Sequence, residues 1–216
     1  TASGGPFNNY PLSKFKSITP SLALKHPNWK MGKKISIDSA TMMNKVFETI
    51  EARKIFDFDY KKIDILIHPK SYVHAIVKFT NGLTKILIHD TNMKIPIFNS
   101  LYPNFIKKIK SMNLNLSIIN NLNFKKVDTK KFPVVKILNM LPFKDSLYET
   151  VIVVANDKLV NMFLDNEIKF SDISKNLLKI INTKEFKKFK SVPPKNIAQI
   201  EQLNKYVSLK IDSLSI

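Results

Sequence analysis

Asn44, Lys45 and Glu48 are the residues of this sequence best placed to do chemistry together, because on a helix they stand three and four positions apart and share one face. One turn then presents an amide, an ammonium and a carboxylate. Such a set can hold anionic or hydroxyl oxygens and offer a hard oxygen ligand to a divalent cation. The same spacing also serves a solvated Lys/Glu pair that stabilises a helix by roughly 0.2–0.5 kcal/mol, so the spacing alone leaves both uses open. Just upstream, Ile35 to Ile37 reads as a short β run, and Asp38 or Ser39 stands where a helix N-cap belongs, ahead of Ala40, Met42 and Met43. The pattern predicts a helix over residues 40–56. Its N-terminus, with unpaired N–H groups and the positive dipole end, suits a phosphate or phosphonate, with Ser39 adding a hydroxyl.

His26-Pro-Asn-Trp-Lys-Met-Gly32 precedes that stretch and reads as a loop, since Pro27 disfavours helix at His26. Trp29, the only tryptophan, and Met31 offer a flat, adaptable apolar cover for a small ligand, and Gly32 allows close backbone approach or a hinge. A tryptophan that anchors the loop to the core is the competing reading. Thr1 to Phe7 is a second loop, where Ser3, followed by Gly4 and Gly5, can point a hydroxyl and backbone amides at an anion.

The stretch from His26 to Glu48 closely resembles the substrate-binding segment of the 1-deoxy-D-xylulose 5-phosphate reductoisomerases, NADPH- and divalent-metal-dependent enzymes of non-mevalonate isoprenoid biosynthesis. Thr1-Ala-Ser-Gly-Gly-Pro-Phe7, His68-Pro-Lys-Ser-Tyr-Val-His74, Met93-Lys-Ile-Pro96 and Phe132-Pro-Val-Val-Lys136 resemble further blocks of that family in the same order. The resemblance implies that Ser3, Ser39, Asn44 and Lys45 hold the substrate's phosphate and hydroxyls, that His26 contacts substrate from a flap, and that Glu48 is a metal ligand for Mg or Mn. It places Trp29 and Met31 on the closing flap, Gly32 against the cofactor and Met93 near the nicotinamide. By the same likeness Glu48, Lys45 and His26 are the catalytic candidates, and a homodimer is expected. Val46 and Phe47 stand where the family commonly has Gly and Leu, Lys70 where it often has Gln, and Asp157 of Ala155-Asn156-Asp157 where Glu is usual. The family's dinucleotide-binding domain and its Asp-x-Glu metal ligands would precede Thr1. The chain is therefore expected to be the C-terminal portion of such an enzyme and inactive alone.

Composition narrows the alternatives. A chain of 216 residues, 44% hydrophobic, can bury one or two modest cores. With no cysteine it has no disulfide, catalytic thiolate or Cys-ligated zinc. No apolar run of about eighteen residues marks a membrane span. The formal charge of +18 raises the alternative of a basic nucleic-acid-binding module, yet Arg53 is the only arginine. Base readout and bidentate phosphate grip favour arginine, and the lysines are scattered rather than grouped beside aromatics. Composition thus argues against nucleic acid and fits an AT-rich genome. The bacterial cytoplasm is the expected location, with a plastid as the alternative.

These residues need an α/β frame. Strands are expected over residues 63–67, 73–79 and 85–88, the latter two joined by a hairpin at Thr80-Asn81-Gly82. A short helix is expected to begin at Pro96, and Leu116 to Ile119 reads as strand-like. Residues 133–141, 146–164, 171–181 and 197–214 show helical spacing of apolar residues and should form a bundle in a supporting role. The expected architecture is a partial α/β catalytic domain with a mixed sheet over residues 1–102, a connector over 103–131, and an α-helical bundle over 132–216.

Overall fold

The computed structural model describes residues 1–26, 31–104 and 108–214. Along the chain the helices are α1 (Pro20–Ala23), α2 (Lys33–Thr41), α3 (Met43–Phe56), α4 (Lys94–Leu101), α5 (Leu116–Ile119), α6 (Tyr148–Leu164), α7 (Phe170–Ile181), α8 (Lys184–Lys187) and α9 (Ile197–Asp212). The strands are β1 (Leu66–Ile67), β2 (Val73–Lys78), β3 (Thr84–Ile88) and β4 (Lys125–Lys126). Compactness divides the chain differently from sequence order. One unit joins Thr1–Gly4 to Ile65–Val127, and the other joins Gly5–His26 and Met31–Asp64 to the residues from Asp128 on. Helices α2 and α3 thus belong with the C-terminal helices.

In the first unit β2 and β3 form an antiparallel hairpin, and β1 pairs antiparallel with β4 while Ala2 bridges Ile67 in parallel. The pairing around β1 is therefore mixed. At the hairpin turn only Gly82 takes a positive φ, +89°, and the Asn81 side chain accepts from Leu83 N at 3.1 Å. Asn81 thus acts through its side chain while Gly82 supplies the left-handed residue. Helix α4 starts at Lys94, ahead of the expected Pro96, because a proline in the first turn lacks only an N–H that has no partner there. The strand-like reading of Leu116 to Ile119 is wrong: Asn115 caps the segment by accepting from Ile118 N at 3.1 Å and closes a single helical turn.

The second unit is built around α6, which packs against α2, α7 and α9. Val151, Ile152, Ala155, Leu159, Val160 and Phe163 are buried along it, each large side chain contributing about 1.5–3 kcal/mol. They meet Ile173 and Leu177 of α7 and Leu203 and Val207 of α9 within one core. Phe7, Phe15, Phe163 and Phe170 add a cluster of rings with centroids 5.1–6.0 Å apart.

The expected strand at Ile35 to Ile37 is not a strand. These residues lie inside α2, where Ser36, Ile37, Ala40 and Thr41 are buried at helical spacing and Lys34 pairs with Asp38 one turn on at 2.8 Å. Two β-branched residues in a run of three are too few to fix a period, and burial on one helical face decides it. The helix also breaks where continuity was expected. Met42, buried at 1% exposure, takes φ 69° and ψ 7°, closing α2 and opening α3. Ser39 therefore lies in the last turn of α2, at a negative dipole end, and the positive end falls instead at Asn44 and Lys45.

Gly5 is the second irregular point. It holds φ +63°, and a Cβ there would lie 2.8 Å from the carbonyl oxygen of Ser39. Gly5→Ala in the full-length protein is expected to lower stability by about 1–3 kcal/mol, through the left-handed backbone and the contact together. Chemical denaturation measures it, and an unchanged midpoint would show that the close approach places no demand on this position.

Candidate functional site

The left-handed Met42 organises the site. Thr41 Oγ1 donates to Asp38 O at 3.2 Å and accepts from Met43 N at 3.3 Å, so one hydroxyl bridges the end of α2 and the start of α3. From that start α3 presents its polar face. Asn44 Nδ2 donates to Glu48 Oε1 at 2.6 Å and Lys45 Nζ to Glu48 Oε2 at 2.5 Å. The amide, ammonium and carboxylate are thus brought together as their spacing predicts. The Glu48 side chain is 46% exposed, so the group is presented to solvent rather than sealed in the core.

His26 joins them. Burial lowers the pKa of its imidazole below the ordinary value, and the charge of Lys45 lowers it further. A histidine 19 residues before Lys45 in sequence therefore senses the site. Met31 is half-buried and Gly32 exposed at the N-cap of α2. Gly32 has an ordinary φ of −61°, and a Cβ built on it would meet nothing within 4 Å among the described residues. Neither its backbone nor its described neighbours require glycine, which leaves room for a ligand to approach. Trp29 lies outside the described residues. Ser3 and Met93 belong to the first unit: Ser3 follows Ala2, which is hydrogen-bonded to Leu66 and His68, and Met93 is 53% exposed at the N-cap of α4. Among the described residues no three His, Asp or Glu side chains gather as a metal site.

Sequence reasoning missed the network beneath Ser39. Asp38, at 1% exposure, pairs with Lys34 through Oδ2 and accepts from Asn156 Nδ2 of α6 at 2.8 Å through Oδ1. Lys34 also reaches Asp157 at 3.0 Å and lies 4.9 Å from the centroid of Phe47, which gives that unusual ring a partner. Burial pushes the Asp38 carboxyl above its usual range despite the opposing hydrogen bonds from Lys34 and Asn156. Lys34, nearer the solvent, is held above its ordinary value by the two carboxylates, against its own partial burial. The signal was an acid set between Ile37 and Ala40 on a buried face, together with an asparagine on the apolar face of a helix. The α6 bundle is therefore more than a support remote from the site.

A family model described as the DXP reductoisomerase C-terminal domain matches residues 89–208, and one described as the 1-deoxy-D-xylulose 5-phosphate reductoisomerase C-terminal domain matches residues 1–56. The chain belongs to the 1-deoxy-D-xylulose 5-phosphate reductoisomerase family. A reductoisomerase of Pelagibacter ubique is 66% identical over all of this chain and 56% of that protein. An apicoplastic reductoisomerase of Plasmodium falciparum is 37% identical over 97% of this chain and 43% of that protein. A crystal structure of a DOX-P reductoisomerase with NADPH, fosmidomycin and magnesium superposes at a TM-score of 0.88 with 32% identity, covering 98% of this chain and 53% of that one. The Zymomonas mobilis reductoisomerase with NADPH gives a TM-score of 0.81 with 29% identity, covering 99% of this chain and 55% of that one. The chain spans about half the length of these reductoisomerases.

Removing the Lys45 charge tests the link to His26. In Lys45→Met the His26 pKa should rise, because one of its two depressing causes is gone. An NMR titration of the imidazole reads it, and an unmoved curve would separate the two side chains. A depressed histidine contributes stability that is complete above its unfolded pKa and lost as pH falls through the folded value. Lys45→Met should therefore also flatten the loss of stability on mild acidification.

Proposed function

We propose that the full-length protein is an NADPH-dependent reductoisomerase that converts 1-deoxy-D-xylulose 5-phosphate to 2-C-methyl-D-erythritol 4-phosphate. The Asn44, Lys45 and Glu48 constellation at the head of α3 carries the reading, supported by 66% identity to a reductoisomerase. None of the relatives or structures cited above names a nucleic acid, so the basic-module alternative has no support among them.

Substrate is held at both ends. By the family resemblance Ser3, Ser39, Asn44 and Lys45 are assigned to the phosphate and hydroxyls, and the N-terminal end of α3 adds a positive pole. Binding energy gathered there fixes the reacting carbons for rearrangement to a branched aldehyde and its reduction. His26, kept neutral by burial and by Lys45, donates or accepts a hydrogen bond at a substrate oxygen rather than adding a second cation. Glu48 fits a divalent ion such as Mg or Mn as one exposed carboxylate ligand of a set completed by residues elsewhere in the protein. When bound, that ion polarises the substrate's carbonyl and hydroxyl oxygens.

By the family resemblance Met31, Gly32 and Met93 are assigned to the nicotinamide, and the open space at Gly32 would admit close backbone approach. NADPH supplies the hydride there. By the same resemblance His26 and Met31 are assigned to a flap that keeps water from the aldehyde. Since this reading assigns Glu48 alone to the metal and the chain spans about half of its relatives' length, these 216 residues by themselves should not turn over substrate. A homodimer is proposed from the family resemblance. The working location is a bacterial cytoplasm, or a plastid-type organelle such as the apicoplastic relative suggests. Among the described residues no helix is long and apolar enough to cross a membrane.

Glu48→Gln in the full-length protein should cut kcat at least about 100-fold, the scale of losing one aligned charge at a reacting centre, and should shift the metal dependence. Steady-state kinetics at varied Mg measures both. Wild-type turnover at limiting Mg would remove Glu48 from the metal site.

A further inference from the structure

We infer that Asn156, on helix α6 of the C-terminal bundle, is a positioning residue for the sugar-phosphate site, acting through Asp38. The inference rests on the reductoisomerase reading and adds a residue from the bundle to it. Asn156 is fully buried midway along α6, on a face whose other buried residues are Tyr148, Val151, Ile152, Ala155, Leu159, Val160 and Phe163, where Leu or Val would contribute more to the core. A buried amide in such a place needs a partner to offset its desolvation, and Nδ2 of this one donates to Asp38 Oδ1 at 2.8 Å, while its own Oδ1 accepts nothing among the described residues. Asp38 is itself buried, with Lys34 on its other oxygen at 2.8 Å.

A continuous path leads from there to the site. Asp38 precedes Ser39 directly, and its carbonyl accepts from Thr41 Oγ1, which in turn accepts from the N–H of Met43, the first residue of α3. The next residues are Asn44 and Lys45. Asp38 and Asn44 also line one cavity of about 720 Å³, together with Lys34 and Phe47. Asn156 therefore pins the turn in which α2 ends in a left-handed Met42 and α3 begins with its binding face correctly aimed. Without the amide, the Asp38 carboxylate loses a donor from the α6 side, and the turn carrying Ser39 is free to shift. Among the described residues Lys34 then remains as its ion-pair partner, itself shared with Asp157.

The test uses the full-length protein with saturating NADPH and Mg. Asn156→Leu should raise KM for 1-deoxy-D-xylulose 5-phosphate at least about tenfold while the protein stays folded, as its thermal unfolding reports. Asn156→Asp, which sets two carboxylates against each other, should be worse. Exchanging the pair, Asp38→Asn with Asn156→Asp, rebuilds one amide-to-carboxylate bond and should recover most of the affinity lost in Asn156→Asp. A folded Asn156→Leu variant with wild-type KM would overturn the inference. So would an exchanged pair no better than Asn156→Asp alone, and that comparison decides the matter if Asn156→Leu does not fold. A wild-type protein that does not turn over the sugar phosphate would instead overturn the reductoisomerase reading and take the positioning role with it.

Discussion

The rest of this structure depends on one backbone conformation, the left-handed Met42 between α2 and α3. A continuous helix through this sequence would carry Ser39, Asn44, Lys45 and Glu48 around a single cylinder at fixed angles. The break ends one helix and starts another, so that Asn44 and Lys45 occupy the opening turn of α3 with the positive dipole end beneath them. A methionine at positive φ is unfavourable by about 1–2 kcal/mol and persists only where surroundings hold it. Here the surroundings are full burial of its side chain, the bridging hydroxyl of Thr41 and the close approach of Gly5 to Ser39.

Charge placement follows from that geometry. The site face carries Lys45 and Glu48 toward solvent, where a ligand can compete for them, while the face beneath carries Asp38 and Asn156 in the core. The two faces serve different ends. An exposed pair is weak enough to reorganise around a substrate, whereas a buried, hydrogen-bonded carboxylate fixes position because any shift would strand it without partners. Lys34 connects the layers, reaching Asp38, Asp157 and the ring of Phe47 from α2.

The helical unit is correspondingly more than a cap. Its central helix packs against α2, and the aromatic cluster of Phe7, Phe15, Phe163 and Phe170 ties the segment leading from Gly5 into the same core. The loop before α1, the helices of the site and the bundle are therefore one packed body, and its stability and the aim of its binding residues have the same source.

The sequence by itself determined the elements with long, regular periodicity and the groups whose spacing is local. Helices α6, α7 and α9, the β2–β3 hairpin and the shared face of Asn44, Lys45 and Glu48 were all legible, because i to i+4 neighbours and alternating strands depend on nearby residues alone. Short segments were not. Ile35 to Ile37 became helix and Leu116 to Ile119 a single turn, since three or four residues carry too little period to outweigh burial or a cap. Tertiary structure alone decided the left-handed Met42, the need for glycine at Gly5 and the meeting of Asp38 with Asn156. Each depends on what a residue touches far along the chain, and 118 positions separate Asp38 from Asn156.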